Sequence, residues 1–426
     1  MLQGTLSESS SMPRLLFGPL LALVAVVSAH TAAHAQSDLP FTAEDIEAAA
    51  YTGGDLPAGR SALTAKVQVL LDRSGTSPGV IDGFKGGMSK SAIMAFERRS
   101  GLPMDGVMDP HVWNLLQSFA HEPVTMRYTI TPEDGEGLVE AIPADYAEKA
   151  QMSAMAYTSI AERLGERFHM DEKFIAFLNP GIPIIPGATI SVAAPSSPIR
   201  ATVTRIIVDK ANRRVAAYNA KGRMIVDYPA TIGSDATPSP SGNHHVVTVA
   251  LNPNYTYNPQ RNFTQGKNDK PLIIPPGPNG PVGSVWIDLS KPSYGIHGTP
   301  SPSRLFHSQS HGCVRLTNWD AQELAGMVRG GVTTVEFLQP GVTIADATGI
   351  TAPPLARTSK PLKATATPAA IAATPEPSER LEFPDQTAVP DAAPAPATDE
   401  TPADPLSTAL SDALPDGFVP PGSSEN

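Results

Sequence analysis

The chain has 426 residues, a net charge of −11, 44 prolines, 34 glycines and a single cysteine. That length allows two or three domains, and one thiol excludes an intramolecular disulfide framework. No basic stripe interleaved with aromatics is present, so the sequence offers nothing to nucleic acid.

The amino-terminal residues read as a secretory signal peptide over 1–35, with an uncleaved anchor as the alternative. Arg14 precedes the apolar run "LLFGPLLALVAVVSA", and "AHA" at Ala33–Ala35 places small residues at a cleavage point. The expected protein is therefore exported to the periplasm or cell envelope, and residues 36–62 read as a linker. A lone thiol in an oxidising compartment is a candidate reactive group. The alternative is a buried structural cysteine acting as a small hydrophobe.

Residues 63–120 form the first compact unit. "AKVQVLLDRSG" carries Val67, Leu70 and Leu71 at helical spacing and stops at Gly75. "SKSAIMAFERRSGL" repeats the scheme with Ala92, Ile93, Ala95 and Phe96 up to Gly101, and "DPHVWNLLQSF" gives a third short helix. Asp-Gly turns lie between them in "GVIDGFKGG" and "GLPMDGVMD". Three short helices with these turns resemble the peptidoglycan-binding module that accompanies many cell-wall enzymes. Residues 126–195 form a second unit. "YTSIAERLGERFHMDEKFIAFLNPG" reads as two helices broken near His169–Met170, and "IPIIPGATISV" as a strand after a Pro-Gly turn. This order is similar to a LysM-type glycan-binding module. Asp171 and Glu172 are expected at a solvated helix N-terminus rather than in a catalytic pair.

Residues 201–341 read as a mainly β unit. Strands at Arg205–Val208, Arg214–Tyr218 and Met224–Ala230 form a meander, and "HHVVTVALNP", "SVWIDLS" and "TTVEFL" add three more. "TNWDAQELAGMV" is the principal helix, with Thr317 and Asp320 in capping-box spacing. Residues 350–426 carry four basic residues (Arg357, Lys360, Lys363, Arg380) against eleven acidic ones, so 4 − 11 = −7 of the net charge lies there. Their Pro/Ala/Thr-rich composition predicts a disordered tail.

The cysteine lies in "IHGTPSPSRLFHSQSHGCVRLTNWD", Ile296 to Asp320, with His297, His307 and His311 upstream. A thiol attacks carbonyls as thiolate, so it needs a base or a positive neighbour, and donors for the oxyanion. Gly312 lets backbone amides approach a substrate, and Cys313 precedes a capped helix whose amino end favours thiolate. His297 ends the strand-like "YGIHG" and is a base candidate. The rival is a metal held by His297, His307, His311 and Cys313, although the spacing matches no common structural zinc pattern.

"IHGT" followed by "SHGCVRLTNWDA" resembles the signature of the L,D-transpeptidase catalytic domain of YkuD type, and the likeness extends over about 201–338. It implies a β-sandwich whose cysteine attacks the carbonyl of an L-residue joined to D-alanine, forms a thioester and passes the acyl group to an amine. Cys313 would be the nucleophile, His297 the base, Gly312 and the Cys313 amide the oxyanion donors, and Arg315 the holder of a substrate carboxylate. Ser310, His311 and Asn318 are grouped with the substrate-facing residues; turn bonding, an orienting role and helix capping respectively are their plainer readings. His307 reads as a surface residue, Arg304 as a rim or solvated arginine, Tyr294 as packing, and His244 and His245 as solvent-facing. No cofactor is implied. The partner is peptidoglycan, with an envelope protein as a further possible acceptor. The acceptor (stem peptide, protein or water) stays open, and a non-catalytic wall-binding scaffold is the alternative of another class.

Overall fold

The computed structural model describes residues 40–234, 237–261, 263–307 and 310–349. The expected signal peptide and the expected disordered tail lie outside them. No described helix is long and apolar enough to cross a membrane.

The segment expected to be a linker holds a helix, α1 (Ala43–Ala48), opened by a capping box between Thr42 and Asp45. Ile46 carries it into the core. Three helices follow as predicted: α2 (Ala62–Arg73), α3 (Gly87–Ser100) and α4 (Pro110–Leu116). Ser61 caps α2 and Asp109 caps α4, where Pro110 takes the first turn, whose N–H needs no partner. Gly101 ends α3 in the left-handed conformation, φ +71°.

The next unit has a strand the sequence reading missed. β1 (Thr125–Thr129) pairs antiparallel with β2 (Thr189–Ala193), and α5 (Tyr146–Lys149), α6 (Ile160–Arg167) and α7 (Glu172–Leu178) lie between them. The break between α6 and α7 falls at the expected place, and Asp171 caps α7. One hydrophobic cluster runs through both units: Leu70, Ile93 and Val112 join Leu164, Phe174 and Ile190. They are therefore two sequence units on a single core.

The third unit is an eight-stranded sheet. Its strands are β3 (Arg205–Asp209), β4 (Arg214–Tyr218), β5 (Met224–Pro229), β6 (Gly242–Leu251), β9 (Val285–Leu289), β10 (Gly295–His297), β11 (Val314–Arg315) and β12 (Thr334–Phe337). β7 (Tyr255–Tyr257) and β8 (Leu272–Ile274) form a separate hairpin in a loop over the sheet. Spatial order is β11-β10-β9-β6-β12-β3-β4-β5. The long β6 is the hinge of the curl: Gly242–His245 pair with β12, and Val246–Leu251 pair with β9. The two limbs close over one core, in which Val208, Val215 and Val226 meet Ile287, Ile296 and Val314. α8 (Asn318–Ala325) fills it with Ala321 and Leu324. Thr317 caps α8 by accepting from Asp320 N at 3.0 Å, while the Asp320 carboxylate is drawn to Ser77 Oγ at 3.0 Å. α9 (Ile344–Thr348) extends the unit beyond residue 341 and covers the outer face of β3 through Ile344.

Buried polar contacts join this sheet to the helical units. Asp227 on β5 receives Arg214 Nε at 2.6 Å and also pairs with Arg98 of α3. Its backbone exchanges hydrogen bonds with Gly75 and Ser77. His169 stacks on Trp319 at 5.1 Å and 8° while its Nδ1 meets Asp72 Oδ1 at 3.0 Å.

Candidate active site

The register of three neighbouring strands assembles the site. His297 lies opposite Trp286 on β9 and opposite Arg315 on β11, while Ile296 lies opposite Val314. Strand side chains alternate between faces. Ile296 and Val314 therefore enter the core, both fully buried, and His297, Trp286 and Arg315 share the other face. One residue back in that register, Cys313 comes level with Gly295. A Cβ on Gly295 would lie 2.5 Å from the Trp286 ring, so only glycine leaves the indole its place.

His297 is 3 % exposed and Cys313 half-buried at the floor of a cleft of about 180 Å³. His297 Nδ1 lies 2.7 Å from Gly298 O. A carbonyl only accepts, so Nδ1 carries the proton and Nε2 is the basic nitrogen. Trp286 stacks on the imidazole at 5.5 Å and 25° and donates its indole N–H to Asp288 Oδ1 at 3.1 Å. Burial and the Arg315 guanidinium lower the His297 pKa to about 3, against the opposing pull of the Gly298 and Val282 carbonyls. Burial raises the Cys313 thiol above its ordinary value; the Gly295 amide and Arg315 oppose this, and Asp288 adds to it. Both shifts favour the neutral forms of thiol and imidazole. The capped helix expected to favour thiolate, α8, begins at Asn318, five residues past the sulfur.

The turn before the thiol is tightly held. Ser310 Oγ donates to Cys313 O at 2.5 Å and accepts from Gly312 N at 3.1 Å. Ser239, from the "TPSPSG" loop, donates to Gly312 O at 2.7 Å. Ser310 lines the cleft but serves the turn. The Gly312 amide is engaged by Ser310, which leaves the Cys313 amide as the donor of the pair to offer an oxyanion. Gly312 itself has φ +115°, and a Cβ would come within 2.7 Å of the Tyr294 ring. Gly312→Ala is expected to shift this turn, at a local strain of about 1–3 kcal/mol. Displacing the sulfur should slow acylation of Cys313 by a carbapenem on the order of 100-fold, read by intact-protein mass spectrometry.

The remaining predicted residues divide. Arg315 and His311 line the cleft, His311 stacked flat on Phe263 at 4.1 Å and 5°. Asn318 does not face it, a correction to its substrate-facing grouping. It is 0 % exposed, donates to Glu166 Oε1 at 2.5 Å and Pro278 O at 3.2 Å, and accepts from Ser284 N at 3.1 Å. Gly283 and Gly298 leave room for it: a Cβ on either would lie 2.1 Å from its Oδ1. Asn318 is a pin behind the histidine strand, and Thr317 is the cap. His307 and Arg304 are exposed and outside the cleft, so the four candidate metal ligands are not gathered. Among the described residues no group of three or more His, Cys, Asp or Glu side chains is arranged to hold a metal ion. His245 is exposed, but His244 is half-buried and packs edge-on against Phe337 at 5.7 Å, so only one of that pair faces solvent. Trp286, Asp288 and Ser239 were missed. The alternation in "SVWIDLS" places Trp286 and Asp288 on one face, but only the strand order reveals that His297 is their neighbour.

A curled β-sheet with thiol, imidazole and guanidinium on one strand face has the plan of an enzyme domain. Residues 203–337 match the L,D-transpeptidase catalytic domain family, YkuD. Residues 60–116 match a peptidoglycan binding domain family. The chain is 29 % identical over 153 residues to the L,D-transpeptidase YkuD of Bacillus subtilis, covering 36 % of this chain and 78 % of that one. It is 25 % identical over 244 residues to the L,D-transpeptidase ErfK/SrfK of Escherichia coli, covering 53 % and 74 %. Among solved structures, an Enterococcus faecium L,D-transpeptidase is similar at 23 % identity and TM-score 0.25, covering 32 % of this chain and 50 % of that one. L,D-transpeptidase 3 of Mycobacterium tuberculosis is similar at 12 % identity and TM-score 0.27, covering 36 % and 67 %. The chain spans about half the length of the Enterococcus structure.

Proposed function

We propose that this protein is an exported L,D-transpeptidase that works on peptidoglycan stem peptides in the cell envelope through a Cys313 thioester. The observation that carries the reading is the strand register, which puts the Cys313 thiol, the His297 imidazole and the Arg315 guanidinium on one cleft face inside the family-matched domain. Cys313 Sγ attacks the carbonyl carbon of the L-centred residue as its proton passes to His297 Nε2. The Cys313 amide receives the oxyanion, and Arg315 holds the donor's carboxylate. Collapse breaks the C–N bond, and His297 returns the proton to the departing D-alanine amine. An acceptor amine then attacks the thioester and gives its proton to His297; the C–S bond breaks and the sulfur recovers a proton. The product is a 3–3 cross-link. The matched helical unit at 60–116 supports polymerised peptidoglycan as the surface on which this happens. With α5 as an excursion, the β1-α6-α7-β2 order (βααβ) of 125–193 supports a LysM-type unit there.

The test is product analysis by mass spectrometry after incubating the protein with disaccharide-tetrapeptide muropeptides. Cross-linked dimers lacking one D-alanine are expected. Tripeptide alone would make water the acceptor and the enzyme an L,D-carboxypeptidase. Unchanged muropeptides would sink the stem-peptide reading and return the choice to envelope-protein attachment or a wall-binding scaffold.

A further inference from the structure

The cleft wall facing Cys313 is not built by the catalytic sheet alone. Between β1 and α6 the chain leaves the βααβ unit and lies along the loop that carries β7 and β8. It is fastened there at two points. Around α5, Tyr146 N donates to Gln265 Oε1 at 3.0 Å, and Asn268 Nδ2 donates to Asp145 Oδ2 at 3.1 Å. Farther on, Met155 N donates to Pro276 O and Asn279 N to Met155 O, both at 2.9 Å. Gly277, at φ +145°, permits that approach, since a Cβ would sit 2.3 Å from Met155 O.

Fastened this way, the Tyr146 ring meets Tyr257 edge-on at 5.2 Å and Phe263 at 5.9 Å. Phe263 is the ring stacked on His311, two residues before the thiol. Tyr146 lines the same cleft as Cys313 and Arg315. The electrostatics agree with that placement: burial raises the Tyr146 phenol pKa, and the Arg315 guanidinium is the group that opposes the rise. The signature residues of the domain therefore share their cleft with a side chain some sixty residues upstream of the family-matched segment.

We infer that Tyr146 is a specificity-determining residue whose ring forms the far wall of the acyl-donor slot, so that the βααβ unit helps to select the donor peptide. The inference rests on the reading of Cys313 as the acyl acceptor. A phenol ring across from a guanidinium suits a peptide with a free carboxylate at one end and a flat, weakly polar backbone stretch beside it.

The experiment is calorimetric titration of a tetrapeptide muropeptide into the full chain carrying Cys313→Ala, which binds without turnover, with residue 146 as Tyr or as Tyr146→Ala, Tyr146→Leu or Tyr146→Phe. The Ala and Leu forms are expected to bind about tenfold more weakly and the Phe form within about twofold, since the ring and not the hydroxyl is the wall. Tyr146→Leu keeps apolar bulk for the loop, so the test survives if Tyr146→Ala fails to fold. Equal affinity in the Leu form overturns the inference, as does an absence of binding to every form. With Cys313 intact, acylation by a carbapenem, a ligand too small to span the slot, separates selection from scaffolding. A parallel collapse of acylation and peptide affinity in the Leu form would mean that the ring only holds the loop, and would overturn the inference. Failure of the proposed chemistry reads differently: the peptide would bind in a Tyr146-dependent way and yet lose no D-alanine to the wild-type protein.

Discussion

Cys313→Ala is expected to abolish cross-linked product and carbapenem adduct alike, and His297→Ala to lower kcat/KM by about 10²–10⁴-fold, the usual contribution of a positioned general base. Both proteins should remain folded. The His297 ring is held by Gly298 O and the Trp286 face rather than by a buried charge, and the thiol is a small side chain at a cleft floor. Circular dichroism checks the fold, and single-turnover acylation checks the chemistry. Retained acylation in His297→Ala would remove the imidazole from the proton path.

The pH profile carries further information. The imidazole pKa lies at about 3, and burial raises the thiol, so a drop from pH 8 to pH 5 protonates neither partner further. The rate of acylation should therefore be flat across about pH 5–8, with no acid limb near the ordinary histidine value of about 6.5. An acid limb between about pH 6 and 7 would instead report a thiolate–imidazolium pair.

The second large effect concerns stability. Asp227 is 0 % exposed and faces two guanidiniums, Arg214 at 1 % exposed and Arg98 of the helical unit. Asp227→Asn keeps the shape and removes the charge, leaving two cations buried without their counter-ion. Removing one partner of a buried pair costs about 3–5 kcal/mol. In a body of this size that lowers the thermal midpoint on the order of 10 °C. Scanning calorimetry reads it. Arg98→Met should cost less, because Arg214 still satisfies the carboxylate. A midpoint unchanged in Asp227→Asn would mean that the network is offset by solvent and does not fasten the helical unit to the sheet.

Where sequence reading succeeded, the signal was local. α2 and α3 announce themselves by Val67, Leu70, Leu71 and Ala92, Ile93, Phe96 at helical spacing, and the β3–β5 meander by short apolar runs between turns. Cys313, His297 and Arg315 were legible because fixed residues in "IHGT" and "SHGCVRL" occur in order. What escaped was long-range. β1 reads "TMRYT", which alternates polar and apolar over only five residues, too short a run to stand out without its partner β2, sixty residues on. The "NYTYNPQ" stretch hides strand β7 among turn formers, because its partner β8 and the Tyr146 ring against Tyr257 supply the order. Asn318 looks like a substrate or capping residue until Glu166, 152 positions away, is found bonded to it. The surroundings of the thiol escaped for a related reason: a helix end is visible in sequence, but burial by surrounding strands is not.

The shared core of the first two units, with the Asp227 knot, the His169–Trp319 stack and the clasp at Tyr146, makes a single body of the parts that would hold a polymer and the part that would cut it. Such a body would work as a caliper. A catalytic domain on a tether samples any bond within the length of its linker, whereas one fixed to its wall-binding units would address bonds at a set offset from them. The spacing of its products along a glycan would then be a property of the fold rather than of diffusion.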